Sequence, residues 1–469
     1  MNTERPEPAN RAAGRRHLVP FAILLALLVL LAWLASRPPA GGGMPPDPEG
    51  LPVAADSTSG LRDSGMGVRQ PTAPQREPES DEIEVAKRVR AFVQSRLDLA
   101  DAMARRHGIE VSAEFREFFG LASTGSWEDV EAAYAELMKQ RGSSEGSDAM
   151  TLIWQPVLET FGVLEVAHRW PAAALLEYGR EVLDQAPPGG VVLGGTDPGR
   201  FIPTLMNATD GEARVVLTQN TLADASYLDY LQFLHGDRLH LPSQDDSRRA
   251  FQAYIADAMQ RFEHDRGSPQ DARQIRPGEQ IEVHPDGRVH VGGQAAVMAI
   301  NEALVSRLID LNPDLPFFME ESFPLPSLRS DAVPSGPLIQ LGGGDGLDAD
   351  HARNSVDYWI SRAGSLLDDP AVVDAPVVRD SWANLALAQG SLLQDRGLGS
   401  EAEAIYRVAR DLSPGYPDVV LRHLELLTSQ GRWNDATRLV ESAIRAAPEN
   451  VQFQELLHQV QAGEASVRP

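Results

Sequence analysis

Cysteine is absent from the 469 residues of the chain. This absence excludes disulfides, thiolate metal sites and cysteine nucleophiles together. Positive charge is scarce, because 42 Lys and Arg stand against 67 Asp and Glu, which gives a formal net charge of −25 at pH 7. Such a negative field repels phosphate backbones, so nucleic acid is not expected as a partner. The length exceeds what one compact core usually spans, and it predicts two or three domains.

The sequence motifs of several familiar catalytic and cofactor sites are also missing. There is no serine elbow, no His-Glu-x-x-His and no dinucleotide fingerprint before a predicted helix. The glycine-rich stretch 341–346 lacks the lysine of a phosphate-binding loop, and it indicates a hinge instead. His284 and His290 lie on the two arms of a predicted hairpin without a third ligand. No metal site is therefore expected, and the sequence indicates no particular cofactor.

Long hydrophobic runs are missing apart from one near the N-terminus. Residues 18–36 carry no charge and are long enough to cross ~30 Å of hydrocarbon as a helix. Several arginines precede this run, whereas only Arg37 follows it closely. The positive-inside rule then places residues 1–17 in the cytoplasm and predicts a single-pass inner membrane protein with a periplasmic body. A cleaved signal peptide is the alternative, and in both cases the body is exported.

Composition divides the following part of the chain into two segments. Residues 37–80 are rich in Pro, Gly and Ser and poor in large apolar residues, which predicts a disordered linker. In residues 81–187 apolar side chains recur at helical spacing, so this segment is predicted to be a helical region. Ser112 and Ser126 each precede acidic residues and an apolar stripe, which is typical of helix N-caps.

Residues 188–341 have a different pattern, in which short β-rich runs alternate with helical ones. This alternation predicts an α/β domain with a mixed sheet. The predicted strands are 191–193, 213–218, the two arms of a hairpin around Pro285-Asp286-Gly287, 316–319 and 337–341. Residues 342–350 are predicted to form a hinge to the rest of the chain.

A repeat of 34 residues is present within the last segment, 351–469. The matching pairs are Gly397 and Gly431, Ala402 and Ala436, Ala409 and Ala443, and Pro414 and Pro448. This period is that of tetratricopeptide (TPR) repeats, in which small residues let paired helices approach closely. Gly390 and Tyr406 take the small and aromatic positions of the first repeat, whereas the second repeat departs from the pattern with His423, Leu424 and Val440. The segment is therefore predicted to be an all-α TPR solenoid.

Polar residues of the α/β segment collect just after the predicted strands. In open α/β sheets ligands lie beyond the carboxyl ends of the strands, so three such loops are expected to face one cleft. The candidate ligand-binding residues are Gly194, Gly195, Thr196, Asp197, Gly199, Arg200, Gln219, Asn220, Asp224, Glu320 and Glu321.

The residue types in these loops indicate two kinds of ligand group. The glycines let backbone amides approach a ligand, and the helix that follows them favours an anion. Arg200 suits a carboxylate or a phosphate, while Asp197, Asp224 and Glu320 suit sugar hydroxyls or a hard cation. The structural alternative is that the aspartates and Asn220 cap helices and that Arg200 pairs with Glu320.

The same stretches carry a resemblance to known proteins. Residues 194–201, 217–224, 292–294 and 320–322 resemble those of uncharacterised bacterial membrane-anchored TPR proteins. More distantly, the middle part is similar to the soluble C-terminal part of multi-pass membrane proteins related to protein O-mannosyltransferases. The resemblance covers roughly residues 82–341 and the repeats, and it implies an exported α/β domain tied to envelope or glycan processes. The multi-pass transferase core is missing here, so the resemblance implies no established chemistry.

The predicted fold class is a multi-domain chain with an N-terminal transmembrane helix, a helical segment, an α/β domain with a mixed sheet and a C-terminal all-α TPR solenoid. The favoured function is a membrane-tethered extracytoplasmic interaction module. Its TPR groove binds a protein or peptide partner, and its α/β domain binds a small polar or glycan ligand. The alternative is a glycan- or sugar-transfer enzyme, or an accessory subunit of one, with Asp197 and Glu320 as its carboxylates. A structural scaffold is a third interpretation.

Overall fold

The computed structural model describes residues 78–467 apart from 142–146, 212–213, 268–273, 277, 284–288, 322–324 and 343–345. The described chain is mostly helical and carries one small mixed sheet and a separate hairpin. Within these residues no helix is both long and apolar enough to cross a membrane. The helix Pro78–His107 has the length, with 30 residues, but charged side chains occur from one end to the other.

These findings correct the predicted fold class to a mostly helical chain with a small mixed sheet. The predictions of a transmembrane fold, an inner-membrane localisation and a membrane partner are corrected with it, because no described helix is apolar enough to span a bilayer. The run 18–36, on which they depended, lies outside the described residues, as do 1–17 and 37–77. Residues 78–80, predicted to end the linker, already belong to the first helix.

The chain begins with a layer of helices around aromatic side chains. One polar cap fixes a boundary, because the Ser112 hydroxyl accepts a hydrogen bond from the Phe115 amide. Phe115, Phe118 and Phe119 then lie buried on one face of the helix. The helices of this layer are α1 (Pro78–His107), α2 (Ala113–Thr124), α3 (Trp127–Arg141), α4 (Ser147–Leu152), α5 (Trp154–Arg169) and α6 (Ala172–Gln185).

A five-stranded mixed sheet follows, with the strand order β2-β1-β5-β7-β6. The central strand β1 pairs in parallel with β2 and β5, while β7 is antiparallel to β5 and β6. Every residue of β1 is buried, as expected of a parallel strand covered on both faces. The strands are β1 (Val191–Gly194), β2 (Val215–Thr218), β5 (Phe317–Met319), β6 (Val333–Ser335) and β7 (Leu338–Leu341), and β3 (Gln280–Val283) and β4 (Val289–Gly292) form the separate hairpin.

The helices that connect these strands cover the sheet and support the hairpin. The Ser243 side chain and the Asp246 carboxylate form a reciprocal cap at the start of the longest of them. These helices are α7 (Asp197–Asp210), α8 (Ala225–His235), α9 (Gln244–Asp265) and α10 (Gln294–Leu311), and a short 3₁₀ turn at Pro326–Leu328 precedes β6.

The C-terminal helices repeat in geometry as well as in sequence. They are α11 (Ala349–Leu367), α12 (Pro370–Val373), α13 (Pro376–Asp395), α14 (Gly399–Leu412), α15 (Pro417–Ser429), α16 (Trp433–Ala446) and α17 (Val451–Val467). Both ends of α16 lie 34 residues beyond the matching ends of α14, since 433 − 399 and 446 − 412 are each 34. Gly397 and Gly431 turn the chain between paired helices with φ angles of 78° and 70°, values that favour glycine. The relationship to TPR proteins itself stays a prediction.

One hydrophobic core joins the first helices, the sheet and the first repeat pair. The ring of Trp382 in α13 meets that of Tyr178 in α6 with 5.2 Å between centroids. The Gln389 side-chain amide donates to the carbonyl oxygens of Gly336 and Leu338, at 2.7 and 2.9 Å. Residues 188–341 therefore share their core with the flanking helices. The boundaries drawn within the sequence stay predictions.

Candidate functional site

The three candidate loops leave the sheet at the same edge. Because β1, β2 and β5 run parallel, their carboxyl ends lie side by side with β1 in the middle. The backbone hydrogen bonds between the strands continue into the loops. The Gln219 amide donates to the Gly194 carbonyl and the Glu320 amide donates to the Leu193 carbonyl, each at 2.9 Å. The structure thus brings the three loops together, and the contacts of each side chain decide what that edge can bind.

Glu320 occupies the place at which an anionic ligand was expected. Its side chain is 1% exposed. One carboxylate oxygen, Oε2, accepts hydrogen bonds from the backbone amides of Gly195 and Thr196, at 2.6 and 2.8 Å. The other oxygen accepts one from the Thr196 hydroxyl at 2.5 Å. The amides before α7 therefore bind a carboxylate of the protein itself, as the N-terminus of a helix favours.

Two of the candidate glycines are needed for this close packing. A Cβ on Gly199 would lie 1.8 Å from Oε2 of Glu320. A Cβ on Gly194 would lie 2.4 Å from the Gly199 carbonyl oxygen. Thr196 completes the turn, because its hydroxyl oxygen caps α7 by accepting from the Gly199 amide at 3.1 Å. These residues fit a structural role in holding Glu320.

Burial decides the protonation behaviour of Glu320. Removal from water raises the pKa of this carboxyl, and the hydrogen bonds from Thr196 and Gly195 oppose the rise only in part. A buried carboxyl with all its donors supplied by the backbone and one hydroxyl is shielded from a substrate. The geometry therefore does not present Glu320 as an acid or base to the crevice.

Glu321 points away from Glu320, because successive side chains of an extended chain face opposite sides. It is 5% exposed, and its carboxylate accepts two hydrogen bonds from the Arg329 guanidinium, at 2.5 and 3.2 Å. The Arg329 guanidinium also donates to Asp395 in α13. Glu321 is thus part of an ion-pair chain between the sheet and the first repeat helix, and it does not line the strand-edge crevice.

Asp197 and Arg200 lie one turn apart at the start of α7. The Arg200 Nε lies 3.5 Å from a carboxylate oxygen of Asp197, an ion pair within the helix. The guanidinium also stacks on the ring of Phe201, 4.1 Å from its centroid. The predicted alternative pairing of Arg200 with Glu320 is not present. Asp197 is 33% exposed, so its carboxylate is partly accessible to solvent.

The loop after β2 contributes residues with three different environments. Asp224 caps α8 by accepting from the Ser226 amide and hydroxyl, each at 2.8 Å. Gln219 is fully buried. The side-chain oxygen of Asn220 is buried, and within the described part of the chain it accepts no hydrogen bond. An unsatisfied buried amide oxygen is costly, so Asn220 is the member of this loop that most needs an added donor.

Two residues of α3, Tyr134 and Arg141, form aromatic and cation–π contacts that the sequence did not predict. Arg141 ends α3 and stacks over the ring of Trp154, 4.7 Å from its centroid. Burial raises the pKa of Tyr134, and the nearby charges of Arg200 and Arg141 oppose that rise. A basic residue in the last turn of a helix is common, so Arg141 had no distinguishing pattern.

Comparison with known proteins gives no further assignment. Neither a protein-family model, nor a curated protein, nor a solved structure matches this chain. The resemblance to membrane-anchored TPR proteins and to mannosyltransferase-related proteins therefore stays a prediction.

The loops at this edge of the sheet carry both hydrogen-bond donors and acceptors. The Arg200 side chain supplies donors, and Asp197 and Asp224 supply carboxylate oxygens that accept from hydroxyls. Across the described ranges, no group of three or more His, Asp or Glu side chains is arranged for a metal ion. The chemistry that the described side chains support at this edge is recognition through hydrogen bonds and charge.

Proposed function

We propose that this chain is a protein-interaction module whose helical repeats bind an extended segment of a partner protein. The observation that carries the proposal is a pocket of about 200 Å³ between the repeats and the loop that follows β5. Helices in stacked repeats leave concave surfaces of this kind, which peptides can fill. The pocket is lined by Pro326 and Arg329 of the loop and by Ser391, Gln394, Asp395, Tyr406 and Arg422 of α13, α14 and α15.

The walls of this pocket are ordered before any partner arrives. The Tyr406 hydroxyl donates to the side-chain oxygen of Gln394 at 2.8 Å. Arg329 is only 9% exposed and is held by Glu321 and Asp395. Side chains that are already fixed lose little conformational entropy on binding, which favours affinity for a segment that fits.

The rim of the pocket offers hydrogen-bond donors to a peptide. The Arg422 side chain is 44% exposed, and the carboxylate near it, Glu425, lies on the same helix at 2.9 Å and is 55% exposed. Such an exposed pair contributes little stability, so Arg422 is available to a carbonyl or carboxylate oxygen of a partner. Arg is also enriched at the centres of protein interfaces.

The competing interpretation is that the repeats merely support the sheet. The first pair does pack against it, as the contacts of Gln389 with the strand β7 region illustrate. The helices α16 and α17, however, bury residues such as Val440, Phe453 and Val460 in a cluster separate from the main core. Helices that do not cover the sheet have no supporting role there, and this favours partner binding.

We also propose that the strand-edge crevice binds a small polar ligand. The convergence of three loops beyond parallel strands supports this part of the proposal, since that is where ligands bind in open α/β sheets. The two sites use different residues, so each can be tested without the other.

Two arginine variants of the full chain test the partner site. Arg422 and Arg438 each pair with a carboxylate three residues away on their own helix, and only Arg422 lines the pocket. We expect proteins cross-linked to the wild type in cells to be retained by Arg438→Glu and reduced about tenfold or more by Arg422→Glu, as for a residue at the centre of an interface. Equal recovery by both variants would refute partner binding in the pocket.

A further inference from the structure

The helix α15 joins two separate hydrophobic cores. Its residues Val419 and Leu426 belong to the main core, which also contains the sheet and α14. Its residues Val420, Leu424 and Leu427 belong to the second cluster, together with the buried residues of α16 and α17. The last two helices are therefore connected to the main core chiefly through α15.

One residue of α15, His423, is buried without polar partners. It is 3% exposed, and its ring centroid lies 6.0 Å from that of Tyr406. Neither ring nitrogen forms a hydrogen bond with any residue that the structure describes. The Tyr406 hydroxyl is not a partner, because it donates to the side-chain oxygen of Gln394 at 2.8 Å. An imidazolium donates from both nitrogens, so this position favours the neutral ring.

The position that corresponds to His423 in the first repeat shows how a buried polar side chain is otherwise satisfied. Gln389, 34 residues earlier in α13, is also fully buried. Its side-chain oxygen accepts from the Ser355 hydroxyl at 2.6 Å and from the Trp359 indole at 3.0 Å, and its nitrogen donates to two backbone carbonyl oxygens. Gln389 thus contributes to its repeat through hydrogen bonds, whereas His423 forms none with the described residues.

The charged groups of the two neighbouring helices α14 and α16 do not favour a second proton on His423. The Glu403 carboxylate of α14 already binds Arg407 at 2.5 Å and Arg432, at the start of α16, at 2.6 Å. Arg410 of α14 adds a further positive charge. Burial and then Arg410 lower the pKa of His423 to about 4, and Glu403 opposes this only in part.

The carboxylates of α13 and of α15 itself are likewise engaged. In α13, which also packs against α15, Asp380 accepts a hydrogen bond from a serine hydroxyl, and Asp395 accepts one from Arg329. On α15, Glu425 pairs with Arg422 at 2.9 Å. These carboxylates are therefore not available to neutralise a buried imidazolium, which is costly without a counter-ion.

We propose that α15 is an acid-sensitive joint, at which protonation of the His423 imidazole releases α16 and α17 from the helices before them. The proton comes from solvent and binds a ring nitrogen, and the imidazolium gains water as an acceptor once the last two helices open. The main core keeps its packing, because it contacts α15 through different residues. Arg422, the neighbour of His423 on α15, lines the pocket, so opening also moves one wall of the pocket. The inference concerns the fold of the repeats and does not rest on the proposed partner site.

The lowered pKa of His423 sets the pH range of the opening. An exposed histidine takes up its proton at about pH 6.5, whereas the ring in the closed joint does so only at about pH 4. The open form therefore binds more protons between these values, and the closed form loses stability as the pH falls from about 6.5 to about 4. Between about pH 7.5 and about pH 5, the equilibrium constant of opening should rise about tenfold or more.

Hydrogen–deuterium exchange of the full-length protein, followed by mass spectrometry at these two pH values, measures this opening. Protection factors, which correct for the intrinsic pH dependence of exchange, should fall about tenfold or more in α16 and α17 on acidification. The strand β1, in the main core, should keep its protection. An equal fall in β1 would mean that the whole chain unfolds and would overturn the joint, and so would unchanged protection of α16 and α17.

Histidine variants then assign the effect to one residue. His423→Gln supplies the residue type of the matching position in the first repeat, and His423→Leu supplies an apolar side chain, so one variant suffices if the other does not fold. In both, the protection factors of α16 and α17 should change less than about twofold between the two pH values, because the titrating group is gone. His458→Gln, at an exposed position of α17, is the matched control and should keep the wild-type change. Retention of the wild-type pH dependence in either His423 variant would refute the inference.

Discussion

The two C-terminal repeats pack their paired helices with different side chains at matching positions, and this allows a test of whether those positions are equivalent. Gly390 in α13 lies under the ring of Tyr406 in α14, and a Cβ on Gly390 would lie 2.5 Å from the Tyr406 Cε1. The residues 34 positions later, 424 and 440, are Leu424 and Val440, both buried in the second cluster. A small residue facing a ring in one repeat thus corresponds to two medium-sized aliphatic residues in the next.

Replacing Gly390 and Tyr406 by the residues of the second repeat should change the free energy of unfolding in a strongly non-additive way. Tyr406 is fully buried, so Tyr406→Val leaves a cavity and is expected to cost about 3 kcal/mol. Gly390→Leu overpacks the space beside the ring at a cost of about 3 kcal/mol, offset by about 1 kcal/mol of helix propensity, for a net of about 2 kcal/mol. In the double variant the leucine fills the cavity, and the expected cost is about 2 kcal/mol. The coupling energy is then about 3 kcal/mol.

The measurement is urea unfolding of the wild type, both single variants and the double variant, followed by circular dichroism. The control is Gly364→Leu in α11, where no atom lies within 4 Å of the added Cβ and the residue is exposed. That variant should gain up to about 1 kcal/mol from helix propensity. Additive single effects would refute the idea that Gly390–Tyr406 and Leu424–Val440 are equivalent pairs.

Two shorter predictions concern Glu320. Gly199→Ala should displace the Glu320 carboxylate from its backbone donors and lower the free energy of unfolding in urea by about 3 kcal/mol. Gly120→Ala is the control, because no atom lies within 4 Å of the added Cβ, and it should be neutral or slightly stabilising. Equal effects of the two variants would contradict the close packing of Gly199 against Glu320. Because burial raises the pKa of Glu320, the folded protein holds its proton more tightly than the unfolded chain, and the stability it contributes falls as the pH rises above about 4.5. Glu320→Gln should therefore flatten the unfolding free energy against pH above that value, and an unchanged slope would argue against a raised pKa.

Much of the local structure could be predicted from the sequence, because apolar runs, turn residues and repeat spacing depend on neighbouring positions in the chain. The apolar run at 191–193 predicts β1, and the Asp-Gly turn predicts the hairpin, whose turn residues 284–288 lie outside the described part. The 34-residue offset predicts the helix pairs, and α14 and α16 are both 14 residues long. The convergence of the candidate loops follows from the parallel order of β1, β2 and β5, which is a general property of such sheets.

Long-range contacts were beyond the reach of the same patterns. No local signal distinguishes a glutamate that binds the amides of Gly195 and Thr196 from one that faces solvent, because its partners lie more than a hundred residues away in sequence. Gln389 looks like an ordinary polar helix residue, yet its bonds to Gly336 and Leu338 join the repeat to the sheet.

The adjacent residues Glu320 and Glu321 connect the two proposed sites. Glu320 fixes the loop at the strand-edge crevice, and Glu321 fixes Arg329, which forms part of the pocket wall. Since the two side chains share one short piece of backbone, a substitution at either one should disturb both places. Arg422 contacts neither glutamate among the described interactions, so a variant at this arginine changes the pocket without disturbing the strand-edge loops.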